Sequence, residues 1–445
     1  MAGNNGFLSD PPKVLVAGFA TVILIGALLL TLPVSSANGQ PTGFLTALFT
    51  STSAVCVTGL VVVDTGTYWS TFGHLVIITL IQVGGLGFMT MAVLFWLLMG
   101  RRVTFRERLL IQESLNVIDL SGLIKLAKRV LILTFTIELA IATVLALRWI
   151  PEFGLAKGVW FGLFHAISGF NNAGFDLFGE FRSLTQYVSD PVVNLAITTD
   201  IILGGIGFTV MSDLLRWKER KRLTLHTKLT LLVTVILLLV GTLVIFFLEL
   251  NNTLAPLSLS GKLWASWFQS VTPRTAGYNT LDIGALRPAT LFFMVILMFI
   301  GASPGSTGGG IKTTTFGMLG LAVFSMARGK EDPEIFNRRI PKDQIYKGLA
   351  IIFLAMSWIV IAVLILDITE REDFLKILFE VVSAYGTVGL TAGLTPHLSS
   401  VGQVIIIFTM FLGRLGPLTV AFALAAKQRQ RKQTVRYAEE RVIIG

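Results

Sequence analysis

Four short strings in this chain have the residue types needed to replace the water around a monovalent cation. Val57-Thr58-Gly59 lies in SAVCVTGL, Asn172-Ala173-Gly174 in SGFNNAGF, Thr275-Ala276-Gly277 in TPRTAGYN and Thr387-Val388-Gly389 in SAYGTVGL. A cation entering a narrow path must shed its hydration shell, and stacked backbone carbonyls supply substitute oxygens without a side chain that titrates. Pointing consecutive carbonyls at one axis needs backbone angles, including positive φ, that glycine adopts at least cost, and its missing side chain leaves the axis open. The carbonyls of these residues are therefore the candidate ion ligands, with the hydroxyls of Thr58, Thr275 and Thr387 as secondary donors. The Asn171 and Asn172 amides are expected to be satisfied by nearby helix backbone instead. A lone glycine in a membrane protein reads as a turn or a tight helix contact. Four in register read as the lining of an ion path.

The register comes from the elements around them. The glycines are 115, 103 and 112 residues apart, and each is followed 25, 30, 24 and 24 residues later by a small-residue cluster beginning at Gly84, Gly204, Gly301 and Gly413. A long apolar span precedes each glycine, at 13–33, 129–149, 229–249 and 345–366. A shorter amphipathic segment follows, at 42–55, 158–170, 261–273 and 373–385, and then a second span, at 73–99, 190–215, 289–327 and 400–426. The short segments fall below the ~20 residues a spanning helix needs, so each enters and leaves from one side. Non-helical backbone at membrane depth survives only where it is buried in protein or lines a cavity. The expected fold is an all-α membrane protein of four repeats: eight full spans and four re-entrant loops in pseudo-fourfold array around one pore. The repeats occupy 13–100, 129–216, 229–328 with a broken final helix, and 345–427, followed by a basic cytoplasmic tail at 428–445.

Composition agrees. Hydrophobic residues make up 53% of the 445, against 14% charged, which argues against a soluble fold. The net charge of +10 would suggest a nucleic-acid partner in a soluble protein, but 25 of the 36 Lys and Arg fall in four clusters, Arg101 to Arg129, Arg216 to Lys228, Arg328 to Lys347 and Lys427 to Arg441. The positive-inside bias assigns those clusters and both termini to the cytoplasm, and the four loops to the outer mouth. The clusters suit anionic lipid headgroups, and 101–108, 216–222 and the tail from Lys427 also suit a docked partner. No nucleic-acid partner is expected. Cys56 is the only cysteine, and His74, His165, His226 and His397 lack metal-ligand spacing. With no nucleophile, general-base or phosphate-loop constellation, the chain is not expected to be an enzyme or to hold a cofactor tightly. The ion is its substrate.

Two features break the symmetry. In the third repeat, Gly301-Ala302-Ser303-Pro304-Gly305-Ser306-Thr307-Gly308-Gly309-Gly310 interrupts the last span, followed by Lys312, Thr313 and Thr314. Each helix-interior glycine costs about 1 kcal/mol and a proline about 3, so a continuous helix is excluded there. Lys312 adds a charge whose insertion cost at the membrane centre is about 2.5–3.5 kcal/mol, which places the segment beside water. In the fourth repeat, Arg414 sits inside the last span. It reads either as a structural contact with backbone carbonyls or with Asp200 or Asp213, or as a fixed positive charge that blocks cations and holds the loop closed. Arg274, three residues before Gly277, is expected to brace its loop, with Glu138 and Glu380 as candidate partners.

These strings together resemble the Trk, Ktr and HKT superfamily of potassium transporters. The likeness covers nearly the whole chain and rests on VTGL, SGFNNAGF, VTPRTAGYN, SAYGTVGLT and GASPGSTGGGIKTTTF; Thr387-Val388-Gly389 is also similar to a potassium-channel filter. Trk-type subunits carry two further N-terminal helices, whereas the first repeat here begins by Lys13, as in a bacterial Ktr membrane subunit. The resemblance implies potassium uptake across the plasma membrane, preference for potassium at Gly59, and a gate formed by Gly301 to Thr314, with Pro304 a departure from the small or hydroxylated residues usual there. It also implies a homodimer on a cytoplasmic ring of nucleotide-binding regulatory subunits, so that any nucleotide sits on the partner. The alternatives are a sodium-selective or sodium-coupled carrier on the same fold, and a scaffold with vestigial loops.

Overall fold

The computed structural model describes residues 11–87, 90, 112, 123–329, 333–417 and 419–420. The basic segment 101–108, the tail 428–445 and the far ends of the expected 73–99 and 400–426 spans lie outside these described residues.

The helices fall into four sets of similar plan. The first holds α1 (Pro11–Leu30), α2 (Phe44–Val55) and α3 (Thr71–Leu86). The second holds α4 (Leu123–Phe153), α5 (Leu155–Phe170), α6 (Pro191–Ile206) and α7 (Phe208–Leu215). The third holds α8 (Leu225–Glu249), α9 (Leu259–Val271), α10 (Pro288–Phe299) and α11 (Thr313–Ala327), and the fourth α12 (Lys342–Glu370), α13 (Phe374–Gly386) and α14 (Ser400–Leu415). A two-stranded hairpin, β1 (Glu334–Ile335) and β2 (Arg338–Arg339), connects the last two sets.

Among the described residues α1, α4, α8 and α12 are each long and apolar enough to cross a membrane, and the bent pair α6–α7 makes a fifth candidate. Their exposed faces carry Leu, Ile, Val and Phe, as in Leu139, Leu147, Leu243, Phe247, Phe353 and Leu364. A helix apolar on its outer face has lipid as its natural solvent. Polar residues appear where helices start. Ser70, Asp190, Ser258 and Ser399 each accept a backbone N–H of the first turn that follows, and Pro191 and Pro288 occupy first turns whose N–H groups would be unpaired in any case. The C-terminal end of each long helix, or the segment just after it, is tied to the start of the last helix of its set. Arg148 Nε donates to Asp190 Oδ2 at 2.7 Å, Arg287 N to Glu249 Oε1 at 2.9 Å and Ser399 N to Glu370 Oε2 at 2.8 Å. In the first set, Ser70 N donates to Ser35 O at 2.9 Å.

Between sets the packing runs in one direction and closes. α3 packs on α5, α6 on α9, α10 on α13 and α14 back on α2. The short helices α2, α5, α9 and α13 thus share a centre.

The final spans differ from the sequence expectation of continuous helices with one interruption. All four break at the small-residue cluster. α3 ends at Gly87 (φ +77°), α6 at Gly207 (+99°) and α14 at Gly416 (+82°), while α10 ends at Ile300 and the chain resumes as helix only at Thr313. A positive φ at one glycine ends a right-handed helix. At Gly207 it turns the chain by 98° between α6 and α7. The pattern was hidden because a glycine in an apolar run reads equally well as a helix-packing contact.

A Cβ at Gly207 would meet the Pro304 carbonyl at 2.6 Å, whereas one at Gly320 meets nothing within 4 Å. Gly207→Ala is therefore expected to destabilise the protein by about 1–3 kcal/mol, and Gly320→Ala to leave it unchanged or slightly more stable. Thermal midpoints of the detergent-solubilised variants measure this; equal midpoints would show that the bend tolerates a side chain.

Candidate ion-binding site

The four glycines meet. A Cβ built on Gly59 would lie 2.5 Å from the Ala173 carbonyl oxygen, one on Gly174 2.7 Å from that of Ala276, and one on Gly277 2.6 Å from that of Val388, while one on Gly389 would strike the Thr58 carbonyl. Each glycine faces the main chain of the next loop, and the fourth returns to the first. A Cβ at any of the four glycines would press on the main chain of the next loop.

The backbone within each string follows one rule. Val57, Asn172, Thr275 and Thr387 have φ of +51°, +57°, +71° and +50°, and the glycines two residues later have +91°, +69°, +79° and +94°. Left-handed backbone at a β-branched residue is unfavourable, so its presence at Val57, Thr275 and Thr387, in register with Asn172, marks a shape imposed by the surroundings. The chain thereby alternates its handedness, which turns successive carbonyls toward a common side. Val57, Thr58, Ala173, Thr275, Ala276, Thr387 and Val388 are fully buried, so protein on all sides holds that shape.

The turns are pinned by hydroxyls within the same four strings, a role not evident from the sequence. Ser53 Oγ accepts from Gly59 N at 3.0 Å and Ser383 Oγ from Gly389 N at 3.1 Å. Ser168 Oγ donates to Phe175 O at 2.9 Å, and Thr272 Oγ1 reaches Tyr278 O. The serines stand six residues before their glycines and the threonine five, which is the signal in the sequence. The short helices end at these turns, so their partially negative C-termini converge on the ring and favour a cation there.

The asparagines divide. Asn171 Nδ2 donates to Ile167 O at 2.8 Å, as expected, and also to Gln82 Oε1 at 2.9 Å and Glu138 Oε1 at 3.1 Å. Asn172 instead crosses to the neighbouring set, with Nδ2 donating to Thr275 Oγ1 at 3.2 Å and Oδ1 accepting from Thr307. Neither candidate partner holds Arg274. Glu138 is taken by Gln82 and Asn171, and Glu380 accepts from Thr391 and Thr395. Arg274 is buried and its Nε has no hydrogen-bond partner among the described residues; its carbonyl accepts from Asn172 Nδ2.

Directly against the ring lies the connection 300–312. Gly309 N donates to Thr387 Oγ1 at 3.0 Å and Thr307 Oγ1 to Phe170 O at 3.1 Å, so the threonine expected as a secondary ion donor is engaged by the loop. Ser303 N and Thr307 N donate to the carbonyls of Gly205 and Gly204, and Gly305 O accepts from Phe208 N at 2.7 Å. Ser303 and Thr313 share a hydroxyl contact at 3.0 Å, and Ser306 Oγ donates to Ser303 O. The loop also folds on itself, with Ala302 N donating to Gly309 O and Lys312 Nζ donating to Gly308 O at 2.6 Å. Pro304 offers its carbonyl across the Gly207 bend, and Gly310 (φ +68°) packs against Gly301.

Arg414 stands in the register of Gly85, Gly205 and Ala302, one residue after the first glycine of each cluster. Its guanidinium donates to the carbonyls of Thr307, Gly84 and Gly85, joining the loop of the third set to the end of α3 in the first. It pairs with neither Asp200 nor Asp213; the latter accepts from Thr224 and Thr227. A cavity of about 330 Å³ lies beside this junction, lined by Gly85, Gly305, Gly308, Lys312 and Arg414 among others.

Comparison with known proteins accounts for the architecture. Residues 8–434 match TrkH, described as a cation transport protein. The chain is 47% identical over 437 residues to the Ktr system potassium uptake protein B of Bacillus subtilis, covering 98% of this chain and 97% of that one. It is 42% identical over 441 residues to the potassium/sodium uptake protein NtpJ of Enterococcus hirae, covering 98% and 97%. The crystal structure of the potassium transporter TrkH from Vibrio parahaemolyticus shares the fold, with a TM-score of 0.73 over 94% of this chain and 85% of that one at 18% identity. The resemblance to Ktr membrane subunits expected from the motifs is thus borne out, and the chain is a multi-pass membrane protein. It belongs to the TrkH family of cation transport proteins.

Proposed function

We propose that this chain conducts potassium into a bacterial cell through a carbonyl-lined filter at the closed ring of Gly59, Gly174, Gly277 and Gly389. One observation carries the reading: each glycine fills the only space left between its own loop and the carbonyl of the next, around a single axis. A site of main-chain oxygens suits a weakly hydrated monovalent cation and releases it without a proton transfer. Relatives named for potassium uptake support the choice of ion and the direction. In this reading the four sets are repeats of outer helix, pore helix and inner helix, eight crossings in all. Both termini lie in the cytoplasm of the plasma membrane and the ring faces outward.

The connection Gly301 to Thr314 is the gate. It stands across the path just inside the ring, held by Thr387 on one side, Gly204 and Gly205 on another and Arg414 on a third. Arg414 adds a fixed positive charge that raises the barrier to a cation while the loop is in place. Opening requires these contacts to be exchanged for others. That exchange is assigned to a cytoplasmic nucleotide-binding ring beneath a homodimer of this chain, each protomer with its own pore; the Ktr system names of the relatives support a system of several components.

Arg414→Ala removes the clamp between the loop and α3. Potassium flux into proteoliposomes without the regulatory partner is expected to rise several-fold, and deletion within Ser303 to Gly309 to do the same. Folded variants with unchanged flux would argue against a gate here. Gly59→Ser puts a side chain against the Ala173 carbonyl, and the ratio of potassium to sodium permeability is expected to fall. A sodium-selective or sodium-coupled carrier working by alternating access predicts no such change, so potassium preference preserved in this variant would contradict the filter.

A further inference from the structure

A second, cation-lined cavity lies between two basic connections, 217–228 and the β1–β2 hairpin, which the positive-inside bias assigns to the cytoplasmic side. The 98° bend at Gly207 sends α7 across the direction of α6, so that if α6 crosses the bilayer, α7 lies near its plane. Leu214, Leu215 and Trp217 are 40%, 64% and 56% exposed there. Large apolar and indole side chains at the end of a spanning segment, followed by lysine and arginine, are the composition of the headgroup level. From this level the chain returns through 217–228 into α8.

The β1–β2 hairpin faces that return. Between them is a cavity of about 960 Å³ whose lining, among the described residues, includes Lys221, Arg222, Lys228, Arg338 and Arg339 and no carboxylate, with Glu334 standing opposite Arg339 in the hairpin. Its rim is aromatic: Phe336 is 45% exposed and lies 5.4 Å from Lys228 Nζ, opposite Trp217. Among the described residues the neighbouring acids are placed elsewhere. Asp213 is committed to Thr224 and Thr227, and Glu219 and Glu334 lie outside the lining. Converging lysines and arginines suit a phosphate, which guanidinium groups bind through paired N–H donors.

Both walls of the cavity lead to the loop. The 217–228 wall continues from α7, whose first residue, Phe208, donates its N–H to Gly305 O. The hairpin follows α11, whose first residue, Thr313, donates its N–H to Ala302 O at 3.2 Å. A ligand bridging the walls therefore spans the two arms that hold the loop.

We propose that this cavity binds the phosphate headgroup of an anionic phospholipid in the cytoplasmic leaflet, and that its occupancy biases the position of the 300–312 loop. The second part rests on the conduction reading; the first does not. The exposed apolar side chains beside the cavity favour a lipid over a soluble phosphate.

The test uses the full-length protein and the variant Lys221→Gln/Arg222→Gln/Arg338→Gln, whose side chains are exposed and whose replacements keep most of their length. Retention of phosphatidylglycerol during detergent exchange, read by native mass spectrometry, is expected to weaken by roughly ten-fold in the triple variant and to persist in Arg338→Lys. Potassium flux by the wild type is expected to differ between phosphatidylglycerol and phosphatidylcholine vesicles, and that difference to disappear in the triple variant. Equal retention by both proteins would overturn the site. Displacement by inorganic phosphate or glycerol phosphate at millimolar concentration would overturn the lipid as its source. Loss of regulatory-subunit binding with retention unchanged would overturn it in favour of a protein contact. Reduced retention with no effect of lipid on a conducting wild type would overturn only the link to the loop, whereas a wild type without potassium flux would overturn the conduction reading and leave the binding result standing.

Discussion

The architecture depends on one steric constraint, that four loops bring main chain against main chain with no room for a Cβ. Gly59, Gly174, Gly277 and Gly389 each face the carbonyl of the following loop, and from that contact much else follows. The loops must be held by groups other than their own side chains, hence the serine and threonine hydroxyls behind each turn. The short helices must end at the centre, and the last helix of each set must approach those ends closely. Gly84, Gly204 and Gly413 meet this demand, since a Cβ at any of them would strike the carbonyl of Val55, Phe170 or Tyr385 at the end of a short helix. A second small-residue cluster 24 to 30 residues after each ring glycine is the sequence consequence of this second close approach.

Where the symmetry fails, the chain gains a polar connection against the ring. The third set lacks the tight break of the others and runs through 300–312 before resuming a helix. The fourth has Arg414 where the others have glycine or alanine. The two departures meet in one hydrogen bond, from the Arg414 guanidinium to Thr307 O. Backbone carbonyls freed by broken helices need donors wherever water is scarce. An arginine with a fork of N–H groups meets several at once, reaching Gly84 and Gly85 as well. A contact made of exchangeable hydrogen bonds can be released at modest cost, unlike one made of packed apolar surface.

Much of this was legible in the residues. The short helices expected at 42–55, 158–170, 261–273 and 373–385 appear at Phe44–Val55, Leu155–Phe170, Leu259–Val271 and Phe374–Gly386. They were readable because amphipathic runs bounded by polar breaks have few other solutions. The meeting of the four glycines followed from register alone. What was not readable depends on which groups lie opposite. The bends at Gly87, Gly207 and Gly416 look locally like helix-packing glycines, and only the tertiary structure brings the Pro304 carbonyl against Gly207. Arg274 invited an acidic partner, yet Glu138 and Glu380 are held by amides and hydroxyls from other elements. Asn172 was expected to serve its own helix and instead reaches Thr275 and Thr307, a cross-set contact that no local pattern announces.

The central claim is that ions bind on the axis of the glycine ring, to main-chain oxygen. Anomalous scattering from crystals of the protein grown in rubidium or thallium tests it most directly. The account predicts density on that axis, level with the carbonyls of Val57-Thr58, Asn172-Ala173, Thr275-Ala276 and Thr387-Val388. Density absent from the axis, with the ion held off it by side chains such as Glu138 and Asp200, would contradict it.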